Sequence, residues 1–344
     1  MKVLVTGGCG FLGSHVCEFY AKRGDEVISF DTMTRHELIR NPYSADEARM
    51  YNYNFLKSLN VECIKGDVRN LEVLLDYSKD VSYIVHTAAQ PTMTIGLENY
   101  DLDFSTNVIG TYNVLQTALK HKIPVATCAS IHIYSNNLNQ CLIEKPSRYH
   151  CEPVSFDEKL TTLDGVITPL HASKMTGDIY TRMFIDSYKL KAASFRLSGI
   201  YGTRQFGGED HGWVANFAIR AFMNIALKIF HNGKQVRDII AAPDVARAFH
   251  AFYKYQEPGV YNIGGGPNNS LSLIECIEII KNLLNKDLII ENAGERFGDL
   301  YYFVCNIDKA SEKLLWKPQI FPNEGIEMLL NWIKENIYLF SISS

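Results

Sequence analysis

The chain begins with a short apolar run, Met1-Lys2-Val3-Leu4-Val5, which leads directly into Thr6-Gly7-Gly8-Cys9-Gly10-Phe11-Leu12-Gly13. Glycines at this spacing, after a strand pattern and before a helical one, are typical of a turn that holds phosphates. We expect Gly7 to permit the tight turn, Gly10 to admit a pyrophosphate, and Gly13 to allow close helix–strand packing. The first turn of the helix would present free N–H groups and a positive dipole end. This segment therefore predicts a dinucleotide-binding turn.

A carboxylate follows the second predicted strand. Val27-Ile28-Ser29-Phe30 ends in Asp31, 18 residues after Gly13. A carboxylate at this distance can accept both ribose hydroxyls of an adenosine and repel a 2′-phosphate, which favours NAD over NADP. Arg35 weakens this preference, since an arginine there can also meet a 2′-phosphate. We predict NAD as the cofactor.

Composition narrows the class of protein. The chain has 344 residues, of which 47% are hydrophobic, so it can form one large domain or two modest ones with a well-filled core. A net charge of −4 argues against a nucleic-acid partner. No apolar run approaches the roughly 20 residues that cross a bilayer, so we expect no membrane partner. The eight cysteines form no CxxC pair, which predicts no metal site and favours a reducing, cytoplasmic setting.

Strand and helix patterns alternate through the first half of the chain. Strand-like runs lie at 2–5, 27–30, 61–64, 83–86 and 124–128, with a sixth at 192–197. Helical patterns lie near 11–23, 45–59, 70–77, 105–121 and 171–188. This alternation predicts an α/β fold with a Rossmann-type, doubly wound parallel sheet. We expect a cofactor-binding domain over 1–200, with a long loop at 136–170, and mainly a smaller substrate-binding lobe over 201–344, part of which returns to the sheet.

A second carboxylate stands at the end of the third predicted strand, in Ile64-Lys65-Gly66-Asp67-Val68. Ligands of doubly wound sheets bind at the carboxyl ends of the strands. Asp67 can therefore contact the adenine amine, or cap the helix that follows, and the two roles are compatible.

Five segments in order resemble the extended short-chain dehydrogenase/reductase family that modifies nucleotide sugars. They are the glycine turn, His86-Thr87-Ala88-Ala89-Gln90, Asn107-Val108-Ile109-Gly110-Thr111, Ser130, and Ala172-Ser173-Lys174. Further stretches resemble family members that epimerise CDP-linked sugars at C2: Arg148-Tyr149, Cys151, Tyr201-Gly202-x-Arg204-Gln205-Phe206, Gly212-Trp213-Val214, 232–238 and 269–273. The resemblance spans essentially the whole chain and implies an NAD-dependent enzyme.

The resemblance also implies which residues bind. Those expected at NAD are Gly7, Gly10, Phe11, Leu12, Gly13, Asp31, Arg35, Asp67, Val68, Ala88, Ala89, Gln90, Asn107 and Lys174. Those expected at the nucleotide sugar are Arg204, Gln205, Phe206, Arg237 and Arg296. Arg237 and Arg296 would hold the pyrophosphate, because a guanidinium fork matches phosphate oxygens. Neighbouring Asp238 and Glu295 allow the alternative of surface ion pairs. Trp213 either stacks on a base or fills the core.

One position departs from the family pattern. The family uses a serine or threonine, a tyrosine, and a lysine four residues after the tyrosine; the tyrosine transfers the proton. Ser130 and Lys174 match, but position 170 is leucine. Leu170 cannot transfer a proton, so the usual base is missing.

Four residues could replace the base: His132, His171, Tyr134 and Lys174 itself, if burial lowers its pKa. His132 is the most attractive, two residues after Ser130. Each aromatic candidate also has a non-catalytic interpretation. His132 can be a surface loop residue, His171 a residue at the start of a helix, and Tyr134 a core aromatic. Ile131-His132 stands where family 4,6-dehydratases have Asp-Glu, which argues against a standard dehydratase.

Three functions follow from the resemblance. The first is a nucleotide-sugar 2-epimerase that oxidises and re-reduces a ring carbon. The second is another epimerase, a decarboxylase or a dehydratase with a substitute base, and the third is a non-catalytic NAD- or nucleotide-sugar-binding protein. The family also pairs two helices across a two-fold axis. Apolar residues in the corresponding helices predict a homodimer or a dimer of dimers: Val108, Leu115, Ile179, Met183 and Phe184.

Overall fold

The computed structural model describes residues 1–34, 48–295 and 298–340. Its strands are β1 Lys2–Thr6, β2 Glu26–Asp31, β3 Glu62–Lys65, β4 Tyr83–His86, β5 Val125–Ser130, β6 Ile143–Glu144, β7 Tyr149–His150, β8 Ala192–Leu197, β9 Gly199–Tyr201, β10 Leu227–Ile229, β11 Val236–Ala241, β12 Gly259–Ile263, β13 Ser270–Ser272, β14 Ile290–Asn292 and β15 Tyr302–Phe303. Its helices are α1 Phe11–Lys22, α2 Ala48–Ser58, α3 Leu71–Tyr77, α4 Met93–Glu98, α5 Tyr100–Asp103, α6 Gly110–His121, α7 Pro169–Tyr188, α8 Trp213–Met223, α9 Ala242–Tyr255, α10 Leu273–Leu284, α11 Asp308–Lys313 and α12 Pro322–Glu335. Arg35 and Arg296 lie outside the described residues.

The central sheet confirms the predicted fold class. Seven parallel strands run in the order β12-β8-β5-β4-β1-β2-β3. Val3 and Val5 pack into a core beneath α1 and α9, whereas Leu4 packs into a core on the α6 and α7 face. Because both faces of β1 are covered, its sequence is a continuous apolar run. The strand order reverses between β1 and β4, and such a switch point is where ligands bind.

The C-terminal part of the chain serves both lobes. β12 joins the central sheet as an edge strand beside β8, and α9 packs on α1. The second lobe is built around β11, which pairs with β9, β13 and β15. Its core is lined by α8, α10 and α12. β11 therefore runs close to the end of β5, where Arg237 interacts electrostatically with His132.

The segment between β5 and α7 crosses from one lobe to the other. A short 3₁₀ turn at Asn136–Cys141 and the antiparallel pair β6 and β7 interrupt an otherwise irregular chain. Phe156 pairs with Cys305, and the backbone N–H of Tyr149 donates to the carbonyl of Lys234. These contacts fix the segment against β11 and β15.

The helices next to the cleft expose part of their apolar surface. Val108, Leu115 and Phe184 pack inward, contrary to the expectation that they contribute to an outer face. Ile179 is 48% exposed, and Phe104, Ile109 and Tyr180 on the same two helical segments are also exposed. No helix of the described residues combines the length and apolar composition needed to cross a membrane.

Candidate active site

A cleft opens at the carboxyl ends of β1 to β4, where the sheet order reverses. Its walls come from the glycine turn, the ends of β2 and β3, the segment after β4, and the start of the π-helical turn Phe104–Ile109. They contain Gly7, Gly10, Phe30, Asp31, Thr32, Thr34, Gly66, Asp67, Val68, Arg69, Thr87, Ala88, Ala89, Gln90, Pro91, Leu102 and Thr106. Eight residues predicted to bind the cofactor are among them.

The glycine turn has the geometry that a pyrophosphate requires. Gly7 has φ +69°, and a Cβ there would lie 2.7 Å from the backbone of Ala88. A Cβ on Gly13 would overlap the carbonyl oxygen of Gly7. Gly10 is the N-cap of α1 and adds no side chain to the cleft. The turn thus brings the N-terminus of α1, where Phe11 and Leu12 stand, against the cleft, and this cradle fits a dinucleotide.

Asp31 is held rigidly at the end of β2. It is buried, and its Oδ2 accepts the backbone N–H of Cys9 at 3.0 Å while Oδ1 accepts that of Met33 at 2.7 Å. Asp67 instead pairs with the guanidinium of Arg69. Asn70, and not Asp67, caps α3, so the alternative role of Asp67 as a helix cap is wrong.

A buried polar network stands behind the cofactor cleft. Asn107 lies in the π-helical turn, where its Oδ1 accepts the N–H of Gln90 at 2.8 Å and its Nδ2 donates to Ser173 Oγ at 3.0 Å. Gln90 Nε2 donates to Asp103 Oδ1, while the Ser173 hydroxyl donates to the carbonyl of Leu170 at 3.2 Å. Burial raises the pKa of Asp103. Asp103 and Ser173 are not among the site residues predicted from the sequence. Asp103 lies four residues before Asn107, and this spacing, which places both on one helical face, could have indicated it.

The catalytic positions converge at the start of α7. Lys174 Nζ donates to the carbonyl of Cys128 on β5 at 3.2 Å, and burial lowers the pKa of Lys174. Ser130 ends β5, and its Oγ accepts the N–H of His132 at 3.2 Å. Leu170 is buried one helical turn before Lys174, on the same face of α7. The expected place of the proton-transferring hydroxyl is therefore filled by an apolar side chain.

The residues that could replace the missing tyrosine base have different surroundings in the structure. Tyr134 is a core residue: its hydroxyl donates to Asn262 at 2.6 Å and accepts from Arg196. His171 completes a capping box with Thr168 at the start of α7. His132 stacks on His171 with ring centroids 5.7 Å apart, and burial together with nearby Arg237 lowers its pKa to about 3.

His132 therefore carries a neutral imidazole at working pH. Its ring forms no hydrogen bond with a described residue. Of the three aromatic candidates, His132 alone combines a position beside Ser130 with an uncommitted proton-accepting nitrogen.

Arg237 on β11 joins this end of the cleft. Its guanidinium pairs with Asp299 at 3.3 Å and interacts electrostatically with His132. Burial lowers the pKa of Arg237, while Asp299 opposes that shift. The structure thus brings Arg237, His132 and Lys174 to the same side of the first lobe. Asp299, 62 residues away in sequence, was not anticipated.

Three of the predicted substrate residues lie elsewhere. Arg204 donates to Glu18 and Ser14 on α1 and stacks over Phe55, so its guanidinium is committed inside the protein. Gln205 donates to the carbonyl of Ile200. Phe206 packs in the core of the second lobe among Tyr51, Trp332 and Phe340. These contacts give all three a packing role, and their predicted contact with substrate finds no support in them. Trp213 packs edge-on against Phe217.

Comparisons with known proteins agree with this geometry. The model of the NAD dependent epimerase/dehydratase family matches residues 3–264. CDP-paratose 2-epimerase from Salmonella typhi is 32% identical over 96% of this chain and 99% of its own length. UDP-glucose 4-epimerase from Thermus thermophilus, solved in complex with NAD, is 25% identical with a TM-score of 0.75, over 97% and 99% of the two chains.

A further solved relative shares the fold. UDP-glucuronic acid 4-epimerase from Bacillus cereus, solved with UDP-glucuronic acid and NAD, has a TM-score of 0.81 at 22% identity, over 98% of this chain and all of that one. The family match covers the cradle, Asp31 and Lys174 together. NAD is the cofactor that fits this cradle, and the chain belongs to the NAD dependent epimerase/dehydratase family.

Proposed function

We propose that this protein is an NAD-dependent epimerase of a nucleotide-linked sugar, most like a CDP-sugar 2-epimerase. The observation that carries the proposal is the grouping of four residues around the end of β5: Lys174 donates to the carbonyl of Cys128, Ser130 accepts from the N–H of His132, and Arg237 interacts electrostatically with His132. The full-length similarity to CDP-paratose 2-epimerase supports the choice of nucleotide and ring carbon.

The protein's own residues divide the work around the cofactor. When bound, NAD supplies the acceptor and then the donor of a hydride. Lys174 would hold the nicotinamide ribose, and the Ser130 hydroxyl would orient the reacting sugar hydroxyl. The neutral imidazole of His132 accepts the proton of that hydroxyl and returns it after the sugar has turned over. Arg237 binds the pyrophosphate of the substrate. Arg296 stays a predicted pyrophosphate ligand.

Leu170 favours one alternative from a different class. With an apolar group in the tyrosine position, the same cleft can serve a protein that binds NAD and a nucleotide sugar without turnover. A substitute base in another reaction of the family, a 4-epimerisation, a decarboxylation or an elimination, is the second alternative. All three functions predict binding of NAD, so only the fate of the sugar separates them.

The proposal is tested by incubating the protein with a set of nucleotide sugars and identifying the products by nuclear magnetic resonance. The NAD-loaded protein is incubated in deuterium oxide with CDP-, UDP- and GDP-linked hexoses. We expect a CDP-sugar to be converted to its C2 epimer without deuterium at carbon, because the same hydrogen leaves and returns. Incorporation of deuterium at carbon would indicate an elimination. Release of carbon dioxide would indicate a decarboxylation. Binding of NAD and sugar with no conversion would establish the non-catalytic function.

We also propose that two copies pair through α7 and the helical stretch formed by the Phe104–Ile109 turn and α6. Ile109 and Ile179 are 37% and 48% exposed, beside Phe104 and Tyr180 on the same two helical segments. Exposed apolar patches of this kind mark protein–protein contacts. Analytical ultracentrifugation should give a dimer, and Ile179→Glu should shift it toward monomer. A monomeric parent protein would contradict the proposal.

A further inference from the structure

Two thiols meet beneath the dinucleotide-binding turn. Cys9 is the third residue of the turn between β1 and α1, and its Sγ lies 3.4 Å from Ser29 Oγ on β2. Ser29 is the register partner of Cys63 on the neighbouring parallel strand β3. Register partners on adjacent strands point to the same face of a sheet, so Cys63 also lies over Ser29. Cys63 also packs against the buried core cluster that contains Cys9, which places the two thiols in the same environment.

The two thiols have different chemical character. Cys63 is partly exposed, while Cys9 is buried. Interaction with the neighbouring Cys9 thiol lowers the pKa of Cys63, with Lys57 contributing in the same direction. The same interaction, together with burial and the nearby Asp31 carboxylate, raises the pKa of Cys9. A partly exposed, thiolate-prone cysteine beside a buried partner is the arrangement of an attacking and a resolving cysteine.

Cys9 also supports the cofactor cleft directly. Its backbone N–H holds Asp31 Oδ2 at 3.0 Å, and its carbonyl accepts from Asn52 Nδ2 at 3.0 Å. Asp31 lines the cleft and faces the ribose in the predicted binding mode. A covalent bond at the Cys9 sulfur would therefore act on the backbone that positions Asp31.

We propose that Cys9 and Cys63 form a reversible thiol–disulfide site, oxidised by a small-molecule disulfide of the glutathione class, that controls the affinity of the glycine turn for NAD. The proposal concerns the cofactor cleft and is independent of which sugar the protein binds.

The disulfide between Cys9 and Cys63 would form in two thiol–disulfide exchange steps. The Cys63 thiolate attacks one sulfur of glutathione disulfide, forming a mixed disulfide and releasing one glutathione thiolate. Cys9 then loses its proton to solvent and attacks the Cys63 sulfur, which releases the second glutathione. Two protein thiols are oxidised and one disulfide is reduced to two thiols. Once Cys63 carries no negative charge, its share in keeping Cys9 protonated is gone, while burial and Asp31 still raise the pKa of Cys9.

Formation of the disulfide should weaken NAD binding, and bound NAD should disfavour formation of the disulfide. Joining Cys9 to β3 draws the turn toward the sheet and away from the geometry that the cradle requires, since a disulfide tolerates only a narrow range of Cα separations. If the disulfide weakens NAD binding by a given factor, NAD must disfavour the disulfide by the same factor. We expect that factor to be at least tenfold.

The first experiment maps the disulfide in the whole protein. The protein is equilibrated in glutathione buffers of increasing oxidation, with and without NAD, then blocked with iodoacetamide and digested with trypsin. Cys9 leaves in the peptide 3–22 and Cys63 in the peptide 58–65, so the disulfide appears as one joined mass. Cys17 shares the first peptide. Cys17→Ser must therefore keep the joined mass, and Cys9→Ser must lose it.

The second experiment measures NAD affinity by calorimetry before and after oxidation. We expect the oxidised protein to bind at least tenfold more weakly, dithiothreitol to restore binding, and Cys63→Ala to bind NAD equally under both conditions. Circular dichroism checks that each variant is folded. The proposal is overturned if glutathione remains on Cys63 without the joined peptide, if Cys17 forms the disulfide, or if the joined protein binds NAD with unchanged affinity.

Discussion

The two sides of the cleft have diverged to different degrees from the family pattern. On the cofactor side, the turn around Gly7, the carboxylate of Asp31 and the bridge of Asn107 to Gln90 are all in place. On the catalytic side, Ser130 and Lys174 remain, but Leu170 presents hydrocarbon where the family has a hydroxyl. Binding of the cofactor and transfer of the proton thus depend on separate parts of the structure.

This difference shows which part of the catalytic apparatus can be replaced. The cradle is made of backbone, so a change in one glycine removes the space that the phosphates need. Proton transfer needs only one group of suitable pKa within reach of the hydroxyl. His132 lies just after the strand end, next to Ser130, and brings a neutral imidazole from a different element, although its pKa of about 3 makes it a weak base. A substitute base is therefore compatible with an unchanged cradle.

The largest effect is expected from Lys174 on the catalytic side. Lys174→Met removes the cation and should lower kcat roughly 1000-fold, within the range usual for loss of a catalytic group. Lys174→Arg keeps a cation that cannot act as a base, and should stay within about tenfold of the parent if His132 is the base. Steady-state kinetics of both variants, with NAD content checked, measure this. An inactive arginine variant with normal NAD content would identify Lys174 as the base.

The cofactor side can be tested by a matched pair of glycines. Gly7 and Gly24 both have positive φ, which asparagine tolerates better than most residues, but only Gly7 faces backbone within 4 Å. Gly7→Asn should weaken NAD binding by roughly 100-fold, or about 2.7 kcal/mol, because its Cβ meets Ala88. Gly24→Asn should bind NAD normally. Calorimetry gives both affinities, and equal losses in the two variants would contradict the proposed cradle.

A smaller effect is expected when the missing hydroxyl is returned. Leu170→Tyr places a phenol four residues before Lys174 on the same helical face, and should raise kcat roughly tenfold. Leu170→Phe has nearly the same size without the hydroxyl and controls for the added volume. Both variants are assayed with the sugar that the panel identifies. If phenylalanine and tyrosine change kcat equally, packing and not proton transfer explains the effect.

The sequence allowed the cofactor side to be predicted more completely than the catalytic side. β1, β2 and β3 lead directly into glycine or a carboxylate, at Gly7, Asp31 and Gly66-Asp67, so these positions stand next to strands that can be recognised locally. The partners of Arg204 and Arg237 are 186 and 62 residues away, so nothing local distinguishes a buried ion pair from a substrate contact. The resemblance assigns Arg204 to the substrate, and its ion pair with Glu18 and the pair of Arg237 with Asp299 become visible only in the fold.

The smallest effect concerns the charge state of His132. Its folded pKa of about 3 lies below the ordinary value of about 6.5, so the unfolded chain binds the extra proton first as the pH falls. His132 therefore contributes stability above about pH 6.5, which is lost progressively as the pH falls toward 3. Between pH 7.5 and 6 this loss is at most about 0.8 kcal/mol.

His132→Gln cannot take up a proton, so its free energy of unfolding should fall less over the same interval. Urea titrations of parent and variant at several pH values measure the difference, and all other groups cancel in the comparison. The assay also bears on the proposed base, since a histidine that stays neutral in the folded state keeps its nitrogen available to the sugar hydroxyl. Identical pH dependence in the two proteins would mean that His132 titrates normally, which would remove the argument for a desolvated base on the catalytic side.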